Sequence, residues 1–221
     1  MEINADFSAL VRTDSNRLPW VASPMAGVDR RMLDRVGDEV ARATTIVRYA
    51  AASSFSAHTH GGGEEFLVLE GTFSDEHGDY GPGMYVRNPP GSSHSPFTRG
   101  GCTIFVKLRQ MRDEDQAFVR IDTRAEDAAW EEGAAAGVAV LPLFDAVDEH
   151  VYVTRYDAEA VQPAFEMPGG GEFLVLDGAL LHNEDAYGPG SWLRFPAGAR
   201  AAFSAPEGAL VWTKTGHLAG L

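Results

Sequence analysis

The chain has 221 residues, 44% hydrophobic and 23% charged, so it can bury a substantial core and lacks the composition of a disordered protein. Its net charge of −14 argues against nucleic acid and anionic membrane surfaces as partners, because both select basic surface. A single cysteine, Cys102, excludes an intrachain disulfide and a cysteine-based zinc module; in "RGGCTIFVKL" it reads as a small buried strand residue.

In chain order, the opening "MEINADFSAL" shows no basic segment followed by an apolar stretch, so no signal peptide is expected. The longest apolar run, near "GVAVLPLF" at Gly137 to Phe144, falls short of the ~18 residues that a membrane helix needs. A cytoplasmic location is the resulting expectation. The segments "RMLDRVGDEVARA" from Arg31 and "AEDAAWEEG" from Ala125 carry weak helical signals, enough for a turn or two each. Everything else is short runs such as "TTIVRYA", "EFLVLEG", "MYVRN" and "TIFVKL", separated by Gly, Pro, Asp and Asn clusters. Short strands with closely spaced turns predict an all-β sandwich or barrel. The polar stretch "RQMRDEDQ" from Arg109 predicts a boundary, giving domains 1–110 and 111–221. Residues 111–221 hold 19 acidic and 7 basic side chains, which read as a solvated acidic face or a docking face for a basic partner.

The sequence also aligns with itself at an offset of 107 residues. "GGEEFLVLEG" (Gly62 to Gly71) falls on "GGGEFLVLDG" (Gly169 to Gly178), and "YGPG" at Tyr80 on "YGPG" at Tyr187. Pro89 and Gly91 fall on Pro196 and Gly198, Arg48 and Tyr49 on Arg155 and Tyr156, Lys107 on Lys214. One register held over that span is an internal duplication.

The duplication serves as a control. Features present in both copies, including Arg48, Lys107 and Tyr80, are explained by a shared fold. His58, His60, Glu64 and His94 are replaced together, by Phe165, Met167, Gly171 and Ala201. Side chains two apart on a strand face the same way, so His58 and His60 point into one cavity. Imidazole nitrogens with a carboxylate suit Fe(II), Mn(II), Ni(II), Co(II) or Zn(II), and the four residues form the candidate metal site. Strand parity assigns the cavity walls to Phe55, Phe66, Val68, Met84, Val86 and Phe105. His77 reads as solvated in a polar turn, and His182 and His217 have no neighbours at metal spacing.

At these residues the chain resembles the cupin family. His58-x-His60, three residues, Glu64, six residues, Gly71 is similar to the first cupin motif; Gly83, five residues, Pro89-x-Gly91, two residues, His94 is similar to the second. Ala52 and Thr98 depart from the usual pattern at positions that are not ligands. The wording from Gly63 to Leu108 is similar to the cupin domain of the ChrR type, named for a zinc-binding anti-sigma factor. The resemblance covers about Trp20 to Leu108 closely and 130–215 as a degenerate second copy. It implies two tandem jelly-roll (double-stranded β-helix) domains, a bicupin, with the metal held by His58, His60, Glu64 and His94.

The resemblance implies one divalent ion per chain, Fe(II) or Zn(II), with Mn(II) or Ni(II) as alternatives. Similar cupins include an Fe(II) dioxygenase that cleaves β-diketones. The expected activity is therefore a metal-dependent dioxygenase acting on a small oxygen-chelating substrate such as a diketone, with no catalytic group beyond the ligands. The alternatives are a zinc-binding, oxidant- or ligand-responsive regulator, and a cupin whose metal is a structural clip. The second copy, keeping strands without ligands, is expected to pack as an internal pseudo-dimer partner, so that the chain is a monomeric bicupin or a homodimer.

Overall fold

The computed structural model describes residues 1–38 and 40–221. Among them the secondary structure is almost entirely strand, with one 3-10 turn at Ser15–Arg17. Contacts divide the chain into two units: Met1–Ala5 with Leu18–Glu126, and Asp6–Arg17 with Asp127–Leu221. A cut at 110/111 assigns residues 111–126 differently: Val119–Asp122 pairs with Met84–Asn88 of the first unit. Conversely, Val11–Asp14 pairs with Ser191–Phe195 of the second. Neither exchange shows in local sequence, because strand pairing is non-local.

The first unit has a large antiparallel sheet whose strands run in the order Glu2–Ile3, Val28–Gly37, Ala41–Tyr49, Cys102–Leu108, Glu64–Gly71, Met84–Asn88, Val119–Asp122. It also has a four-stranded sheet of Gly78–Tyr80, Phe73–Asp75, Phe97–Thr98 and Ser53–Ser54, and a two-stranded ribbon of His58–Thr59 with Ser93–His94. Phe66, Val68, Phe73, Val86, Ile104 and Val106 pack into a buried core. The second unit repeats the large sheet, and its smaller sheet joins Ala160–Met167, Ala199–Ala205, Leu180–His182 and Asp185–Tyr187.

The copies agree in detail. Each has a bulge in the same place, beside Thr103/Ile104 in one and Val175/Asp177 in the other. Gly71 and Gly178 have φ of 70° and 69°, and a Cβ there would lie 2.1 Å and 2.2 Å from the carbonyl oxygens of Gly101 and Gly208. No other residue fits so close to a neighbouring backbone. Tyr85 and Arg87 donate to Glu65 on one face of the first large sheet. Trp192 donates to Glu172 at the matching place in the second. Lys107 bonds Thr44, and Lys214 pairs with Glu149. Arg48 lies 4.3 Å over the Trp20 ring and Arg155 lies 4.6 Å over Trp130. Arg48 and Lys107 therefore belong to the scaffold.

Three expectations need correction. "RMLDRVGDEVARA" is not helical: Val28–Gly37 and Ala41–Tyr49 form a hairpin, while residue 39 lies outside the described residues. Gly37, at φ 113°, reverses the chain, and cross-sheet pairing overrides weak local propensity. "AEDAAWEEG" holds the short strand Glu131–Glu132 rather than a helical turn. Phe105 is buried but lies outside the cavity-side core, where its neighbours Ile104 and Val106 sit. A run as uniformly apolar as "TIFVKL" carries no alternation from which to read parity.

Candidate metal centre

The two-stranded ribbon carries the centre. His58 and His94 are paired across it, in the register where Phe165 faces Ala201 in the second unit. The ribbon continues into a turn at Gly61–Gly63, from which Glu64 opens the next strand. His60, Glu64 and His94 are buried and His58 is exposed at the rim.

The three imidazoles close on one another, with ring centroids 5.0 Å apart for His58–His60, 4.9 Å for His58–His94 and 4.8 Å for His60–His94. Each offers one nitrogen, and these three atoms lie within 4.8 Å of one another. Oε2 of Glu64 lies 3.5 Å from Nε2 of His60 and 3.6 Å from Nε2 of His94. A divalent ion bound at about 2.0–2.2 Å needs donors separated by roughly 3–3.5 Å, and these spacings approach it. Both Nε2 atoms are buried with no hydrogen-bond partner. Leaving buried nitrogens orphaned is unfavourable, by about 1–3 kcal/mol each, unless something binds there. The donor set thus fits a divalent metal ion, and the His58, His60, His94 cluster could hold one.

Supporting groups orient the donors. The backbone carbonyl of Ser56 lies 3.2 Å from Nδ1 of His58, and Oδ2 of Asp75 lies 3.1 Å from Nδ1 of His94. Both contacts leave Nε2 free to face the cluster, the usual arrangement behind a metal-binding histidine. Asp75 also accepts from the His77 backbone at 2.8 Å and the Tyr80 hydroxyl at 3.1 Å. Asn88 donates to Oε2 of Glu64 at 3.1 Å. Arg120 joins the two branches, donating to Oδ1 of Asn88 at 2.6 Å and to the Tyr80 hydroxyl at 3.2 Å.

Electrostatics follow from these contacts. Burial, together with the neighbouring His94 and His58, lowers the pKa of His60 despite the opposing charge of Glu64, favouring the neutral ring that a metal requires. Burial also acts to lower His94, but the Asp75 hydrogen bond and the charges of Glu64, Asp75 and Glu76 outweigh it and raise the pKa. Burial acts to raise Asp75, yet hydrogen bonds from His94, His77 and Tyr80 hold its carboxyl below the ordinary value.

A cavity of about 370 Å³ opens beside the cluster, lined by His58, His60 and Glu64 and walled by Val47, Phe55, Val106 and Leu108. Of the expected wall residues Phe55 lines it; Phe66, Val68 and Val86 form the core behind, with Met84 packed against them. The phenol of Tyr49 lines the cavity too, and burial, reinforced by the charge of Glu64, pushes its pKa up. In the second unit the corresponding space is an apolar cavity of about 650 Å³ reached by Tyr156, Phe165, Phe173 and Thr213. His182 there bonds the Ala202 carbonyl and His217 bonds Glu172. Among the described residues the three histidines of the first unit are the one group placed to hold a metal.

Sequence reasoning missed Asp75, Asn88 and Arg120. The first two carried the signature that picked out the ligands: the 107-residue offset sets His182 against Asp75 and Phe195 against Asn88.

A jelly-roll barrel with a histidine cluster at a ribbon inside its mouth is the architecture of a cupin. The ChrR cupin-like domain matches residues 8–112 and again residues 119–219, so the chain belongs to that family as a tandem pair. Solved structures agree on the fold. A candidate dioxygenase of Nostoc punctiforme PCC 73102 is similar at 13% identity and a TM-score of 0.79, over 94% of this chain and 82% of that one. The bacterial pirin YhhW of Escherichia coli, in complex with nickel(II), has 12% identity, a TM-score of 0.68, and coverage of 94% and 98%. A salicylate 1,2-dioxygenase of Pseudoaminobacter salicylatoxidans has 13% identity, a TM-score of 0.61, and coverage of 79% and 71%. No curated protein sequence matches the chain. No helix among the described residues is long and apolar enough to cross a membrane.

Proposed function

We propose that His58, His60, Glu64 and His94 bind one divalent metal ion, and that the protein is an Fe(II)-type dioxygenase acting on a small substrate that chelates through oxygen, such as a diketone. The observation that carries the reading is the pair of buried, unpartnered Nε2 atoms of His60 and His94 facing Glu64 beside a cavity of about 370 Å³. Four protein donors leave a six-coordinate ion two further positions, where it would act as a Lewis acid toward a chelating substrate and bring dioxygen beside it. The chain's own part is to hold the donors and exclude water. Asp75 and the Ser56 carbonyl fix the imidazole tautomers, Asn88 holds the carboxylate, and Val47, Phe55, Val106 and Leu108 give the cavity an apolar wall. The similar nickel-bound structure supports metal binding on this fold, and the similar dioxygenase supports oxygen chemistry on it.

Anaerobic reconstitution with Fe(II), then oxygen uptake with diketones and other chelating substrates, tests the reading. Substrate-dependent uptake that disappears in His94→Ala is expected. Tightly held zinc with no turnover would overturn it in favour of a regulatory protein.

A further inference from the structure

Two arginines line the metal cavity, Arg30 on the strand Val28–Gly37 and Arg109 just after the strand Cys102–Leu108. Among the described residues neither side chain has a hydrogen-bond or ion-pair partner, and Nε of Arg30 is buried without one. Three other arginines of this unit are paired: Arg48 with Asp29 and Trp20, Arg99 with Asp79, Arg120 with Asn88. Arg30 is half-buried, and holding its Nε away from water without a counter-charge is unfavourable, which an anionic ligand would relieve; Arg109 is exposed at the cavity edge, where it can meet the same ligand.

The second unit shows what each position holds when there is no metal. Arg30 pairs with Val47, and Val140 pairs with Thr154, the counterpart of Val47, so the counterpart of Arg30 is Val140. The counterpart of Arg109 is Gly216, one residue beyond strands that pair identically with Glu64 and Gly171. Both arginines are therefore found only in the copy that has the histidines. Arg109 is also the more demanding choice on backbone grounds. Its φ is 57° and that of Gly216 is 91°, a left-handed region where a side chain costs about 1–2 kcal/mol that glycine avoids. The turn before Glu64 is cut to fit it: a Cβ on Gly61 would lie 2.9 Å from Nη1 of Arg109, and one on Gly62 2.9 Å from its Cβ. A side chain kept at a strained position, with glycines cleared around it, is a mark of function.

We propose that Arg30 and Arg109 recognise a carboxylate, so that the substrate is a small 2-oxo or 2-hydroxy carboxylic acid with a hydrocarbon body rather than a neutral diketone. This rests on the metal centre proposed above and narrows its substrate class. With a divalent ion bound, two guanidinium groups against the single carboxylate of Glu64 make the cavity strongly positive within a chain whose net charge is −14. That contrast draws an anion into the cavity and discriminates against an uncharged chelator. Val47, Phe55, Val106 and Leu108 accommodate the hydrocarbon part.

The test compares benzoylformate with 1-phenyl-1,2-propanedione, in which a neutral ketone replaces the carboxylate; because a carboxylate is also the stronger donor to Fe(II), the arginines are read from the change in the ratio on substitution. Affinities are measured by calorimetry under anaerobic conditions on Fe(II)-loaded protein, with metal content read by mass spectrometry on the same samples. Benzoylformate is expected to bind at least about tenfold more tightly. Arg30→Val and Arg109→Gly, each taken from the second copy, should together lower that ratio by about tenfold without lowering metal content. A ratio near one in the unaltered protein, or one that survives both substitutions, overturns the proposal. Absence of bound metal would overturn the metal centre instead, and benzoate against benzamide on metal-free protein would then decide on the arginines alone, a ratio near one counting against them.

Discussion

The two barrels set the same ribbon register to different uses. Where His58 faces His94 in the first, Phe165 faces Ala201 in the second. The second copy closes the position with carbon: Met167 and Ala201 are buried, and Phe165, Phe173, Phe195 and Phe203 meet in one aromatic cluster through tilted and edge-on contacts. Its ribbon merges with the rest of the small sheet, as the single strand Ala160–Met167 runs along Ala199–Ala205 with one register shift between Gln162 and Phe165. In the first copy the same path is broken into Ser53–Ser54 and His58–Thr59 on one side, Ser93–His94 and Phe97–Thr98 on the other. The fold therefore does not require the metal residues. They are an addition to a barrel that is complete with apolar side chains in their place.

The largest expected effect comes from removing a donor. His94→Ala installs the residue that the second barrel has at Ala201, so the fold should persist while bound metal falls to background. Asp75 would keep its bonds from Tyr80 and the His77 backbone, limiting the stability loss to about 1–3 kcal/mol. Metal analysis and thermal unfolding of the same preparation check both parts; metal content unchanged from the parent protein would sink the assignment.

The reverse exchange is the sharper test. Phe165→His, Met167→His, Gly171→Glu and Ala201→His together should give the second barrel a metal site. A Cβ at Gly171 would lie 2.7 Å from the sulfur of Met167, so the Glu is accommodated only because Met167 is replaced with it. The new site would lack support, since His182 stands for Asp75 and Phe195 for Asn88. Each missing supporting group weakens a metal site by about 10–100-fold. Titration should show a second equivalent bound much more weakly than the first; equal affinity would show that the supporting shell is irrelevant.

Asp75→Asn isolates that shell in the first barrel. It keeps the shape but removes the charge beside His94, and metal affinity should fall by about 10–100-fold with little change in melting temperature. Competition with a chelator of known strength measures it, and affinity within twofold of the parent would remove Asp75 from the centre.

Much of this centre was legible in the sequence because duplication turns replacement into information. The four candidate ligands vanish together, whereas Lys107 and Tyr80 recur and prove to be parts of networks. What stayed hidden has physical causes. Asp75 and Asn88 act through other side chains, and no spacing rule marks a residue that only orients a donor. Arg30 was masked because the fixed offset fails before the hairpin: Val28 pairs with Tyr49 but Val138 with Tyr156, so the first hairpin is three residues longer. The same slip hid the match of Trp20 to Trp130. Arg120 lies beyond residue 110, where the first domain was expected to end, and only strand pairing returns it to the metal barrel.

The smallest expected effect concerns Cys102, the one side chain whose softness would change the choice of metal if it took part. Burial pushes its thiol pKa up to about 11, against a smaller opposing effect of the Thr98 hydrogen bond. At pH 8 the thiolate fraction is then about a thousandth, compared with roughly a quarter for an unperturbed thiol of pKa ~8.5. Alkylation by iodoacetamide should therefore run at least a hundredfold slower than for free cysteine, and equally slowly with or without metal. Cys102 pairs with Tyr49 as Ala209 pairs with Tyr156, so Cys102→Ala borrows once more from the second barrel. It should leave metal content unchanged and alter stability by about 1 kcal/mol or less, given the small volume removed. A loss of bound metal in this variant would place sulfur near the ion and shift the donor set away from the imidazole and carboxylate chemistry that distinguishes the first barrel from the second.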